Sequence, residues 1–113
     1  MCMIIGKEDL LRINQGFGGG LRSGSSLDYT IIQQANRKIG EYKKLAYLWR
    51  AILVDHPFTD GNKRTAVFVA FAFADQFNKQ ADKDLILHHS ISIAKNNIVN
   101  IRKIERRLKN AIR

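Results

Sequence analysis

The chain has one cysteine, one proline, one tryptophan and no apolar run longer than nine residues. Each shortage excludes something. Cys2 alone cannot close an internal disulfide, and no Cys/His cluster has metal-binding spacing, which fits a reducing cytosol. The longest apolar run, Ala66 to Ala74, is closed off by Arg64 and Asp75 and falls well short of the about 20 residues that a transmembrane helix needs. The opening stretch MCMIIGKED lacks a basic n-region and turns polar after Gly6, so no secretory signal is expected. These absences predict a soluble, cytoplasmic chain that does not associate with membranes. With 113 residues, 45% of them hydrophobic, and ten aromatics, residues 1–113 are expected to form one globular domain and not a disordered tail.

Acidic residues are also scarce. Ten Asp and Glu face nineteen Lys and Arg, giving a net charge of +9. Five of those nine charges fall in Arg102 to Arg113, where Arg102, Lys103, Arg106, Arg107, Lys109 and Arg113 meet only Glu105. Such a tail attracts acidic proteins and nucleic acid non-specifically. It also lies on an amphipathic helix whose outer face must be polar in any case, so nucleic acid is not expected as the main ligand.

Glycine is concentrated in one place, Gly16 to Ser26 (GFGGGLRSGSS). The stretch fails the Walker spacing, because Ser25 follows Gly24 where a lysine is required. The dinucleotide fingerprint fails too, because Leu21 stands where the third glycine should be. The expectation is a flexible connector whose Ser25 or Ser26 caps the next helix.

Elsewhere the apolar residues recur at helical spacing. Leu10, Leu11 and Ile13 predict a first helix, and Leu27, Ile31, Ile32 and Ala35 a second. Leu45, Leu48, Trp49, Ile52 and Leu53 form a wide stripe on a third, with Lys43, Lys44 and Arg50 off it. Ala66 to Ala74 is apolar throughout, which on a helix predicts burial on all sides. A last helix is read from Ile101, Ile104, Leu108 and Ile112. The predicted fold class is all-α, a single compact domain of about six helices, with two antiparallel central helices joined by a short turn at His56 to Gly61.

That turn carries the chemistry: His56-Pro57-Phe58-Thr59-Asp60-Gly61-Asn62-Lys63-Arg64. Gly61 can take a positive φ that lets backbone N–H groups converge at the start of the following helix and form an anion cup. Helix N-termini favour acidic residues, yet the first turn here carries Lys63 and Arg64. Two cations at the positive end of the helix repel when the cup is empty and complement a polyphosphate when it is filled. Asp60 offers a hard oxygen suited to Mg²⁺ brought in with phosphates. His56 is the side chain of the turn able to accept a proton near neutral pH. A phosphate cup beside a base describes transfer onto a hydroxyl.

HPFTDGNKR resembles the signature of the Fic/Doc family. Seven positions match, an agreement that arises by chance roughly once in 10⁹ windows. Lys63 makes the chain similar to the death-on-curing (Doc) toxin branch, since Fic adenylyltransferases have glycine there. The likeness extends upstream through Gly20-Leu21-Arg22, Leu27 and the Ala46 to Asp55 helix, and downstream through Thr65-Ala66 to Asn78. The resemblance implies that His56 is the general base and that Phe58 anchors the loop in the core. Asp60 would hold Mg²⁺, while Gly61 and Asn62 would form the cup, and Lys63 and Arg64 would bind the phosphates of ATP. The second arginine that Fic enzymes carry three residues on is replaced by Val67.

In the Doc branch the lysine accompanies a reversed nucleotide that presents its γ-phosphate. The expected activity is therefore a toxin kinase acting on a Ser or Thr hydroxyl of a cytosolic protein, with a translation elongation factor the target the family suggests. Fic-type AMP transfer is the alternative, and a non-catalytic basic module for nucleic acid or an acidic protein is a further one. Two features depart from the family pattern. Asn36 to Lys43 is short for the β-hairpin flap that aligns a target segment. None of the three glutamates, Glu8, Glu41 and Glu105, follows a Ser or Thr by four residues as Fic autoinhibition requires. The resemblance thus implies a separate antitoxin protein, encoded nearby, that covers the site.

Overall fold

Helical spacing in the sequence becomes six α-helices: α1 (Lys7–Gly16), α2 (Ser25–Gln34), α3 (Glu41–Asp55), α4 (Asn62–Gln76), α5 (Lys83–Lys95) and α6 (Ile101–Ala111). The structure is a computed structural model that describes residues 5–113. Cys2 and the first four residues of the stretch read for a signal lie outside them. Among the described residues there is no strand, only two isolated antiparallel bridges, Leu21 with Phe58 and Ala81 with Ile112. None of the described helices is long and apolar enough to cross a membrane.

α3 is the hub, packed against α2, α4, α5 and α6. Its whole predicted stripe, Leu45, Leu48, Trp49, Ile52 and Leu53, is buried. The Trp49 indole N–H donates to the Ala66 carbonyl of α4 at 3.0 Å, and farther from the turn the rings of Tyr42 and Phe73 lie 5.2 Å apart. Contacts that move away from the turn in step on both helices mean that α3 and α4 run antiparallel. Lys44, expected off the stripe, is buried instead. Its ammonium lies 3.5 Å from the Glu41 carboxylate one turn back, so a long apolar stem can be covered while the charge stays partnered.

Two other expectations also fail. α4 is not buried on all sides: Ala66, Val69, Ala70, Phe73 and Ala74 are, but Phe68 is 48% exposed. α1, α3 and α5 cover most of α4 and leave an apolar groove of about 390 Å³ that includes Phe17, Val67, Phe68 and Phe71 among its walls. α2 is not capped by serine. Its N-cap is Gly24, with no side-chain cap, and Ser25 and Ser26 are already helical. Ile32, counted into the apolar pattern of α2, is 69% exposed, while Leu27 and Thr30 are buried.

The apolar pattern of the sequence names no stripe for α5, which buries Ile86, Ser90 and Ile93. Asp82 decides the local structure, since its carboxylate accepts the Leu85 N–H at 3.1 Å and starts a helix. α6 buries Ile104, Leu108 and Ala111 with Ile112 just beyond, and the Tyr42 hydroxyl donates to the Ile112 carbonyl at 2.7 Å.

Candidate active site

α3 stops because His56 turns left-handed, with φ 49° and ψ 63°. For a residue with a side chain this is a costly conformation that its surroundings must hold. They do so through the backbone: the Arg22 guanidinium donates to the His56 carbonyl at 2.6 Å. The Pro57 carbonyl accepts the N–H groups of Arg22 at 2.7 Å and Ser23 at 3.1 Å, and the Thr59 N–H donates to the Gly20 carbonyl at 2.8 Å. The Gly20 N–H returns to the Thr59 hydroxyl at 3.1 Å. The glycine-rich stretch, expected to be a flexible connector, is therefore a strap hydrogen-bonded along the turn. Gly19 is needed for the close approach, since a Cβ there would collide with the Asp60 carbonyl oxygen and the Asn14 side-chain oxygen.

The turn also closes on itself. The Asn62 side chain accepts the Phe58 N–H at 3.1 Å and donates to the Phe58 carbonyl at 3.0 Å, satisfying both polar groups of a residue whose ring is 1% exposed. The Asn62 side chain is thus engaged with the loop backbone, and its backbone N–H has no partner in the loop. Gly61, at φ 74°, is the N-cap of α4 and supplies no side chain to cap it. The first intrahelical bond runs from the Thr65 N–H to the Gly61 carbonyl at 2.9 Å. The N–H groups of Asn62, Lys63 and Arg64 thus have no acceptor within the helix.

These donors open on a cavity of about 370 Å³ lined by His56, Thr59 and the run Asp60 to Arg64. His56, Asp60, Gly61, Asn62, Lys63 and Arg64 are thus brought together at one cavity, with Phe58 beneath it in the core. Lys63 and Arg64 are exposed and have no ion-pair partner among the described residues. The Asp60 carboxylate accepts the Gly61 N–H at 2.8 Å through one oxygen. The described residues hold no group of three or more His, Cys, Asp or Glu that could cage a metal. One exposed carboxylate beside free amides and two cations fits a hard divalent ion that arrives with phosphate oxygens around it. Val67 lies in the wall of the apolar groove, so its position adds no cation to the cup.

Asn14 was missed in the sequence. It is fully buried on α1, and its side-chain N–H₂ donates to the Asp60 carbonyl at 2.8 Å and the Thr65 hydroxyl at 3.1 Å. The signal was present as an amide one turn after Leu10 on the core face of the helix, where an unpartnered polar group is costly.

The Fic/DOC family model matches residues 8–74, from the first turn of α1 almost to the end of α4. No curated protein and no solved structure matches the chain. The matched span holds more than half of the residues, and within it lie Asn14, the glycine strap and the whole turn from His56 to Arg64; the chain belongs to the Fic/DOC family.

Proposed function

We propose that this chain is a Doc-like toxin kinase that transfers the γ-phosphate of ATP to a Ser or Thr hydroxyl of a cytoplasmic protein. Family membership supports a transferase of the Fic type in general. The observation that carries the finer reading is Lys63, an unpaired cation in the first turn of a helix that has no side-chain cap and opens on the His56 cavity. In the Fic/Doc resemblance this lysine goes with γ-phosphate transfer.

When bound, a nucleoside triphosphate with Mg²⁺ supplies the electrophilic phosphorus and the leaving diphosphate. The chain's residues do the rest. The His56 imidazole, at the mouth of the cup, takes the proton of the acceptor hydroxyl as its oxygen bonds to the γ-phosphorus and the bond to the β-phosphate oxygen breaks. The free N–H groups of α4, Lys63 and Arg64 hold the charge that spreads over the phosphoryl oxygens. Asp60 would hold Mg²⁺. Its removal would lower activity through the metal and leave His56 in place.

The reading includes a separate antitoxin protein as regulator and leaves the target unnamed; an elongation factor is the first to assay. Incubation with γ-labelled and with α-labelled ATP in a cell extract tests the donor. Label from the γ position alone supports the kinase. Label from the α position alone overturns it in favour of AMP transfer. A basic binding module would show neither label and no effect of His56→Ala, with its contacts made through Arg102, Lys103, Arg106 and Lys109 on the outer face of α6.

A further inference from the structure

The Asp60–Gly61 peptide is the rim of the cup, and its orientation decides what the rim presents. In a trans peptide the C=O and the N–H point in opposite directions. Here the Asp60 carbonyl points inward and accepts from Asn14 at 2.8 Å. The Gly61 N–H consequently points toward the Asp60 carboxylate, which accepts it at 2.8 Å on the exposed side. Were this one peptide to flip, a carbonyl oxygen would face the cavity and the N–H would face the interior.

Little in the local backbone opposes such a flip. Gly61 has no Cβ and takes φ of either sign at small cost. The turn is otherwise fixed at Pro57 and Thr59 by the strap and at Phe58 by Asn62, and neither set of bonds reaches the Asp60 carbonyl. Asn14 does. Its amide orientation is set by that contact, because a carbonyl can only accept and the donor must be the N–H₂ group. Asn14 is itself held from several sides, since it is fully buried and its own backbone carbonyl accepts the N–H groups of Phe17 at 2.9 Å and Gly19 at 3.2 Å. Gly19, which lacks the Cβ that would strike both Asn14 and Asp60, lets the strap and α1 close on this contact together.

We infer that Asn14 is a positioning residue: it latches the Asp60–Gly61 peptide with its carbonyl inward, so that the cup presents N–H groups and not an oxygen to an anion. The inference rests on the reading of this cavity as a phosphate site, and not on which phosphate is transferred. It separates two roles of one side chain. The bond to the Thr65 hydroxyl joins α1 to α4 and serves stability, whereas the bond to the Asp60 carbonyl sets the polarity of the rim.

The test is titration calorimetry with inorganic pyrophosphate on wild type, Asn14→Ala and Thr65→Val, each held well below its own melting temperature. Thr65→Val removes the second acceptor and leaves the Asp60 contact, so it should lower the melting temperature and leave pyrophosphate affinity unchanged. Loss of one charge-free hydrogen bond that fixes the rim should weaken pyrophosphate binding by Asn14→Ala roughly tenfold. Asn14→Ser, which leaves a smaller void but stops short of the carbonyl, should do the same and serves if the alanine variant does not fold. Wild-type affinity in a folded Asn14 variant, or equal weakening in Thr65→Val, overturns the inference. Wild-type protein that binds pyrophosphate but transfers no γ-label would sink the kinase reading alone; wild-type protein that binds no pyrophosphate overturns both.

Discussion

Helices α4 and α5 pack against each other and begin in opposite ways. α5 starts with Asp82, whose side chain caps the Leu85 N–H, and carries Asp84 in its first turn. α4 starts with a left-handed glycine, has no side-chain cap and carries Lys63 and Arg64. The first arrangement is what helix stability asks for, and the second forgoes both the cap and the favourable charge. α6 shows which part of the difference matters. It too has cations in its first turn, Arg102 and Lys103, but Asn100 caps it by accepting the Lys103 N–H at 3.1 Å. Basic residues at a helix start are therefore compatible with ordinary structure. Free N–H groups, unpaired cations and a cavity with a histidine at its edge occur together only at α4 among these three helices.

Four variants sharpen or break this contrast. The largest effect is expected for His56→Ala, which should cut γ-label transfer by about 10²- to 10⁴-fold, the usual range for a positioned general base. Its melting temperature should stay near wild type, because the strap holds the His56 carbonyl and not its ring. Next comes Lys63→Gly, which removes one charge-assisted contact and should weaken γ-transfer roughly tenfold or more. An unchanged rate would make Lys63 a solvated residue like Lys103 and erase the difference between α4 and α6.

The third variant breaks the well-capped helix. Asp82→Ala should cost about 1 kcal/mol, seen as a melting temperature lower by roughly 4 to 8 °C, with transfer intact. The smallest effect on stability is also the most direct exchange of the two designs. Lys63→Glu gives α4 the first-turn charge that α5 has, and denaturant titration should show a gain of about 0.3 to 1 kcal/mol while γ-transfer is lost. A destabilised Lys63→Glu protein would show that the cations serve the fold, and the contrast would lose its functional meaning.

How much of this was readable beforehand follows from how far each interaction reaches along the chain. The turn from His56 to Arg64 is contiguous, so its residues could be named from order alone. The stripe of α3 could be read because five large apolar residues at one helical face outweigh any competing pattern. The glycine strap could not, because three of its five bonds to the turn are backbone to backbone, and backbone groups leave no mark in residue identity. Asn14 left a mark, a polar residue on an apolar face, but its partner lies 46 residues away. Ser25 and Ser26 misled because serine is a good cap in general, yet the chain reaches α2 through Gly24, one residue earlier. Phe68 misled because nine apolar residues in a row imply a fully covered helix, whereas three neighbouring helices cannot enclose a fourth completely.

The bond from the Trp49 indole to the Ala66 carbonyl has an optical consequence. Trp49 is the only tryptophan of the chain, is fully buried and sits across the contact between α3 and α4. Its emission therefore responds when the two helices whose ends frame the cup come apart. Water reaching the ring would shift that emission to the red, and Ala66 lies one turn along α4 from Asn62, at the end of the helix that opens on the cup. The protein carries its own fluorescent gauge of the element that presents the phosphate-binding residues, and no label needs to be attached near the site to read it.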